Sequence, residues 1–538
     1  SLSYQVNGDD LFGNSETALN RGSVYIPTGH IMNRDEKFKS LQSKFSAKFN
    51  KNWDNFSLNA LAGHEYNTSK RTIERIDGYN LALPGNYNIM NATDIELYNR
   101  IFKRHSNAAF GRVNADYRQK FILEAAMRGE WSSVSNKALL SPSVGIATNI
   151  HEMVRSDLFQ YIKLRANISR ADKETPLYMD PTYFNSAIYN LNDASQHFES
   201  REITVSDNLK PERITNYSIG ADLTMLNHRI SLATSLYWKR GKNQLLPIQV
   251  SKSVVQLENS GSFRTHGLEI ELGASLIQNY NFTWQTRLIF ARERNKVTDL
   301  GGRKLMLAGI ENAAGSYAIE GQPLGVLYGT VYERDNQGRM IIGSDGFPVQ
   351  SNELQILGNP NPDWQLSWTH SLTFKRFSLS LLFDYRKGGE IWNGTRNAMN
   401  YYGTSQYSAD HRNTTNYIFP GVLANGQENN IPVSFYGSNL NENRWVRYGQ
   451  YGVGEDGIED ASYIKLREIT LGYRFPIRIF SKRSWLRMSV YATNILLYSK
   501  YKGVDPETNL TGSSNGFGLD YFNVPGTRSI GMSLNWEF

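Results

Sequence analysis

The sequence predicts an all-β chain built as a transmembrane antiparallel β-barrel, and three observations carry that prediction. Apolar residues recur at every second position through about 16 segments, each roughly 10 to 14 residues long. The breaks between segments alternate between short and long. Aromatic residues reach 12% of 538, with 31 Tyr, 25 Phe and 10 Trp, as aromatic girdles at a membrane boundary require. The last segment shows the pattern most clearly. In GTRSIGMSLNWEF, Ile530, Met532, Leu534, Trp536 and Phe538 are apolar, while Ser529, Gly531, Ser533, Asn535 and Glu537 are small or polar. A pleated strand gives such a sequence one greasy and one polar face.

The earlier segments repeat this. Leu268, Ile270, Leu272, Ala274 and Leu276 alternate with Glu269, Glu271, Gly273 and Ser275, and Phe282, Trp284, Thr286, Leu288 and Phe290 follow after a short break. Trp364, Leu366, Trp368, His370, Leu372 and Phe374 form one parity, and Phe377, Leu379, Leu381, Phe383 and Tyr385 another, two residues later. Paired runs around short turns are hairpins. Short breaks fall near Asn50–Asn55, Arg118–Lys120, Leu226–His228, Asn279–Asn281, Lys375–Arg376 and Pro476–Arg483. A longer one, Asn149–Phe159, has room for a helical turn. Ser132–Ala138 and Gly241–Arg264 are moderate, and Asn7–Lys37, Asn67–His105, Ala171–Pro211, Arg294–Pro362, Lys387–Asp460 and Ser499–Gly526 are long and polar. A sandwich has no reason to place its long loops after every second strand, whereas outer-membrane barrels have short periplasmic turns and long extracellular loops. Strands of this length also suit a tilted crossing of hydrocarbon better than a soluble sheet.

One register detail stands out. In ASYIKLREITLGYRF, apolar residues fall on even numbers through Leu466 and on odd numbers from Ile469. A slip of one residue turns every side chain over, so the sequence predicts a β-bulge near Arg467–Glu468.

The bulk numbers fit. No stretch approaches the ~20 apolar residues of a membrane helix, and a mean hydropathy of -0.49 is what strands give when they hide apolar residues at alternate positions. Cysteine is absent and the net charge is +7 without massed Lys or Arg, which excludes a disulfide scaffold and gives no nucleic-acid footprint. SLSYQVNGDD carries no Met, basic segment or apolar leader, and Ser1–Val6 reads as the tail of a strand, so the expectation is a chain that begins partway through a larger protein.

ASYIKLREITLGYRFP (461–476) closely resembles a signature of SusC-like TonB-dependent transporters of the Bacteroidetes outer membrane. LKPERITNYSIGADL (209–223), NSGSFRTHGLEIEL (259–272), GQPLGVLYG (321–329), LGNPNPDWQLSW (357–368), FSLSLLFDYRKGGEIWN (377–393), VDPETN (504–509) and PGTRSIGMSLNWEF (525–538) resemble the same family in the same order. Residues 1–208 join through barrel-like patterning alone. The resemblance implies a barrel of about 22 strands around a plug, so residues 1–538 are expected to be its C-terminal part, with the plug domain and about six first strands preceding Ser1. It also implies active import of oligosaccharides or peptides driven through TonB by way of the plug. A SusD-like surface lipoprotein would act as lid, with pairing of two transporters through the barrel wall and no cofactor. Phe538 resembles the terminal insertion signal of outer-membrane barrels.

Catalytic motifs do not survive inspection. His151-Glu152-Met153-Val154-Arg155 has Arg where a zincin helix needs its second His, and Gly452–Gly457 spells a dinucleotide fingerprint without the strand and helix that must flank it. The chain is read as no enzyme, with no metal site. Polar ligands need aromatic faces and planar donors or acceptors. The loop 387–460 offers Trp392, Asn393, Tyr401, Tyr402, Asp410, Arg412, Trp445 and Arg447 for substrate or lid contact, or for packing on itself. Glu269, Glu271, Asp384 and Arg386 are expected on the lumen wall, and Trp364, Trp368, Trp485 and Trp536 as outward or interfacial anchors. A passive porin and a surface β-rich carbohydrate-binding protein are the rival readings.

Overall fold

A computed structural model describes residues 19–537 apart from 22–23, 27–29, 84–85, 154–155, 175–201, 206–208, 250–253, 310–313, 437–443, 448–451, 480–481 and 511–515. Ser1–Val6 and Phe538, to which the sequence assigned a strand tail and an insertion signal, lie outside the described residues.

One 16-stranded sheet dominates. Its main path consists of β1 (His30–Asn52), β2 (Phe56–Leu81), β3 (Ala92–Tyr117), β4 (Phe121–Ser132), β5 (Ser135–Asn149), β6 (Phe159–Lys173), β7 (Glu212–Met225) and β8 (Ile230–Gln249). It continues through β9 (Val254–Gln278), β10 (Phe282–Asp299), β11 (Trp364–Phe374), β12 (Phe377–Lys387), β13 (Tyr463–Ile479), β14 (Lys482–Ser499) and β15 (Ser529–Glu537). Every strand pairs antiparallel with its chain neighbour, so the sheet is an up-and-down meander from β1 to β15. The short strand Glu202–Val205 lies off the path, parallel to the start of β9. Among the described residues β1 and β15 each have one partner in the path.

The period-two pattern works as the sheet requires. Trp284, Leu372, Leu379, Leu471, Val490 and Met532 lie in register across six strands, and Thr283, Thr373, Ser378, Gly472, Ser489 and Ser533 form the adjacent row on the other face. The apolar face is not covered by protein. Ile530 is 82% exposed, Met532 60% and Leu534 57%, on the last strand. A water-bathed face of this kind would drive aggregation, and hydrocarbon satisfies it. Buried apolar clusters instead occupy the long loops, around Trp445, Phe435, Phe419 and Phe347, and around Trp392, Leu327 and Leu519.

The short turns hold residues in the left-handed region, at Arg118 and Gln119, at Leu226–His228 and at Lys375, which lets adjacent strands reverse tightly. The longer break after β5 contains a 3-10 turn, Ile150–Glu152, where a helical turn was expected.

Strand length departs from the sequence reading. β2 and β3 run 26 residues each, and the connection expected over Asn67–His105 shrinks to the segment between Leu81 and Ala92. β1 begins at His30, inside the loop expected through Lys37, and β8 and β9 absorb most of Gly241–Arg264. The β2 extension is polar on both faces at Thr68-Ser69-Lys70-Arg71. Once a strand leaves hydrocarbon, its outward side needs no apolar residues and the alternation signal vanishes.

The bulge is where the sequence places it. Leu382 pairs with Glu468 and Phe383 with Leu466, and on the other side Leu466 and Glu468 pair with Leu496 and Thr493, so Arg467 is the extra residue. Ile464 and Ile469 therefore share the apolar face despite opposite parity. Trp485, expected as an outward or interfacial anchor, does not face outward. Its register with Pro476 puts it on the polar face with Arg474, whose guanidinium lies 4.6 Å from its ring.

Candidate functional site: the polar rim and its loops

The bulge has a chemical consequence. Tyr463, Lys465 and Arg467 share a parity, and Glu468 and Thr470 take it over beyond the slip, so an extra charged residue is gained on the polar face. The register sets Lys465 opposite Asp384 and Tyr463 opposite Arg386. Arg467 donates to Asp384 Oδ2 through Nε at 3.0 Å and Nη2 at 2.6 Å, and also to Glu507. Lys465, only 4% exposed, donates to Asp505 Oδ1 and Oδ2 at 2.8 and 2.9 Å and to Glu507 Oε2 at 2.5 Å. The Tyr463 hydroxyl donates to Glu507 Oε1 at 2.6 Å. Asp505 and Glu507 belong to the loop between β14 and β15, so this network ties that loop onto the wall. Burial raises the Glu507 pKa, but the hydrogen bonds from Arg467, Lys465 and Tyr463 outweigh it and hold the carboxyl at about 2.

Beside this network lies a cavity of about 310 Å³ lined by Pro360, Arg386, Glu390, Glu507, Thr508 and Phe517, among others. Four of the stretches singled out by sequence (357–368, 377–393, 461–476 and 504–509) thus converge on one place. Gly389 makes the approach possible. It sits at φ 84°, and a Cβ there would come within 2.6 Å of Arg386 Nη2 and 2.9 Å of the Pro360 carbonyl.

A second joint fastens the loops to one another. Tyr332 donates its hydroxyl to Asp456 Oδ2 at 2.5 Å and its backbone N–H to Glu455 Oε2 at 3.0 Å, where Arg334 Nη1 also donates at 3.0 Å. Gly454 N donates to Thr330 Oγ1 at 2.8 Å. The glycine-rich 452–457 stretch is therefore a loop clasp. Burial pushes the Asp456 carboxyl up, while Glu455, despite its burial, is held below the usual carboxylate range by Arg334 and the Tyr332 N–H.

The loop residues chosen by sequence divide into two groups. Trp392, Asn393 and Trp445 are 0, 1 and 2% exposed and hold the loop together. The Asn393 side chain accepts from Arg396 N, capping helix α1 (Gly394–Tyr401), and donates to Glu459 at 3.0 Å, while Trp392 lies parallel to Tyr521 and Trp445 meets Phe435 edge-on. Tyr401, Tyr402, Asp410 and Arg412 face outward, with Tyr402 74% exposed and meeting Tyr401 edge-on. Asp410 ends helix α2 (Gln406–Asp410) and accepts from Gln406 at 2.6 Å, and Arg412 donates to the Gly403 carbonyl at 3.3 Å. Arg447 lies in a 3-10 turn, Arg444–Arg447, and its side chain is outside the described residues.

On the wall, Glu269 and Glu271 lie on the polar face of β9, Glu271 paired with Arg287 at 2.8 Å, and Asp384 and Arg386 lie on that of β12. Sequence reasoning placed Arg467 at the bulge but gave no chemical role to it or to Lys465, Asp505, Glu507 or Glu390. Their signal was the resemblance of the stretches that hold them, which marks position without chemistry.

Residues 1–326 match the family described as TonB dependent receptor-like, beta-barrel. The chain is 26% identical over 475 residues to TonB-dependent receptor P3 of Formosa agariphila, covering 80% of this chain and 45% of that protein. It is 24% identical over 465 residues to TonB-dependent receptor SusC of Bacteroides thetaiotaomicron, covering 80% and 43%. The chain thus spans about half the length of these relatives. Its fold is similar to the structure of the RagAB peptide transporter, with a TM-score of 0.71 at 18% identity over 95% of this chain and 56% of that one. The meander of strands with one greasy and one polar face agrees with the match, and the chain belongs to the TonB-dependent receptor-like β-barrel family and is a SusC-like barrel of the outer membrane.

Proposed function

We propose that the chain is the larger, C-terminal part of the barrel of an outer-membrane active importer of oligosaccharides or peptides. The observation that carries this reading is a sheet with a lipid-compatible face, a charged inner wall and a long loop, that between β14 and β15, pinned to the wall by the Lys465–Arg467–Glu507 network. An N-terminal portion would supply the plug and pair with the outer edges of β1 and β15, the end strands of the path among the described residues. TonB would act through that plug, and a SusD-like lipoprotein would close over the loops. Tyr401, Tyr402, Asp410 and Arg412 are the loop residues placed to touch substrate or lid, with Trp392, Asn393 and Trp445 behind them as the frame. Mechanism is by differential binding and energised release, with no bond made or broken. Uptake of labelled oligosaccharides and peptides by cells producing the full-length protein tests this. Uptake should stop when a protonophore collapses the proton-motive force and should require the lipoprotein. Uptake that continues unchanged without either would identify a passive porin.

A further inference from the structure

The cavity at the rim holds two opposite charges that do not meet. Arg386 donates through Nη2 to the Pro360 carbonyl at 2.5 Å, and its Nε has no hydrogen-bond partner. Glu390 accepts from the Asn359 backbone N–H through Oε2 at 2.6 Å. Neither side chain forms an ion pair among the described residues, whereas the nearby Asp384, Asp505 and Glu507 are taken by Lys465 and Arg467. Adjacent residues of the 358–362 segment anchor both groups, the Pro360 carbonyl the guanidinium and the Asn359 N–H the carboxylate. Gly358 and Gly389 have no side chain and so admit both groups: a Cβ at Gly358 would fall 2.5 Å from Glu390 Oε2. Pro360 and Phe517 supply apolar wall.

A partly buried guanidinium and carboxylate facing one small cavity, each with hydrogen-bonding capacity to spare, are costly unless something satisfies both. A neutral polyol offers hydroxyls to either group but cancels neither charge. A zwitterion cancels both at once, and a volume of about 310 Å³ is at the small end for a binding pocket, so the ligand is one or two residues long. We propose that this cavity is a subsite for a short zwitterionic peptide or amino acid, its carboxylate on Arg386, its ammonium on Glu390 and its side chain against Pro360 and Phe517. The inference rests on the import reading and narrows the substrate class to peptides.

The test is calorimetric titration of the full-length protein in detergent with alanyl-alanine, with N-acetyl-alanyl-alanine amide and with maltose. Alanyl-alanine should bind, the capped peptide and maltose should bind at least about tenfold more weakly, and Arg386→Met and Glu390→Gln should each weaken alanyl-alanine about tenfold or more, as loss of a charge-assisted hydrogen bond requires. If Arg386→Met fails to fold, Glu390→Gln and the capped peptide still decide the matter. Equal binding of capped and free peptide, unchanged binding in Glu390→Gln, or no binding of alanyl-alanine overturns the subsite. Energised uptake of an oligosaccharide alongside such a failure would leave the import reading standing and remove only this site.

Discussion

Lys465 is the residue on which the rim turns, being a buried ammonium that answers two carboxylates from another loop. Removing one partner of a buried pair is destabilising by about 3 kcal/mol at the low end, and the low end applies because Asp505 and Glu507 keep partial access to water. Lys465→Met is therefore expected to lower stability by roughly that amount, read as an earlier unfolding transition in detergent. Glu507 supplies the pH dependence. Its folded pKa of about 2 lies below its ordinary 4.5, so its contribution is fully present above pH 4.5 and is lost as pH falls through about 2. The wild-type transition should drop across that window. Glu507→Gln should start lower at neutral pH and show a flatter profile over it; parallel profiles would remove Glu507 from the network. Single residues were also where the sequence said least. Trp392 and Trp445 have the composition of a sugar platform and the burial of a core, and composition does not distinguish the two.

The strands were the most legible elements within the membrane and the least legible beyond it. β11 and β12 match their expected limits because both are short and alternate throughout, whereas β2 and β3 outrun theirs, β2 through a stretch, Thr68–Arg71, that is polar on both faces. The bulge was readable because lipid punishes a register slip that nothing compensates. Because Leu466 and Glu468 already pair with the consecutive residues Phe383 and Leu382, deleting Arg467 would make β13 regular against β12, keep Tyr463 and Lys465 on the polar face and remove the hydrogen bonds of Arg467 to Asp384 and Glu507. The deletion is expected to keep the folded, heat-modifiable band on a cold SDS gel and to lower its melting temperature; loss of the band would mean that the bulge itself is required for the barrel. The two faces of β13 give a sharper contrast. Leu471→Arg at its centre should destabilise by about 2–4 kcal/mol in lipid vesicles, and Thr470→Arg, one residue away on the polar face, by about 0–1 kcal/mol.

At the scale of the whole molecule, two kinds of information were available in the letters. Alternation gave the membrane sheet, since one face of every strand meets a different solvent. It could not give the loop architecture, in which Thr330, Tyr332 and Arg334 clasp residues 454–456 more than a hundred positions away, because such pairs leave no local period. The central claim is that hydrocarbon covers the apolar face. The chain has no cysteine of its own, so single-cysteine spin labels can be placed at 529 to 536 of the full-length protein in bilayers, any cysteine elsewhere in that protein being replaced first. Accessibility to oxygen and to a water-soluble nickel chelate should alternate with period two, Ile530, Met532, Leu534 and Trp536 favouring oxygen and Ser529, Gly531, Ser533 and Asn535 the chelate. Uniformly low access to both reagents at the even positions would place a second layer of protein there and contradict the barrel.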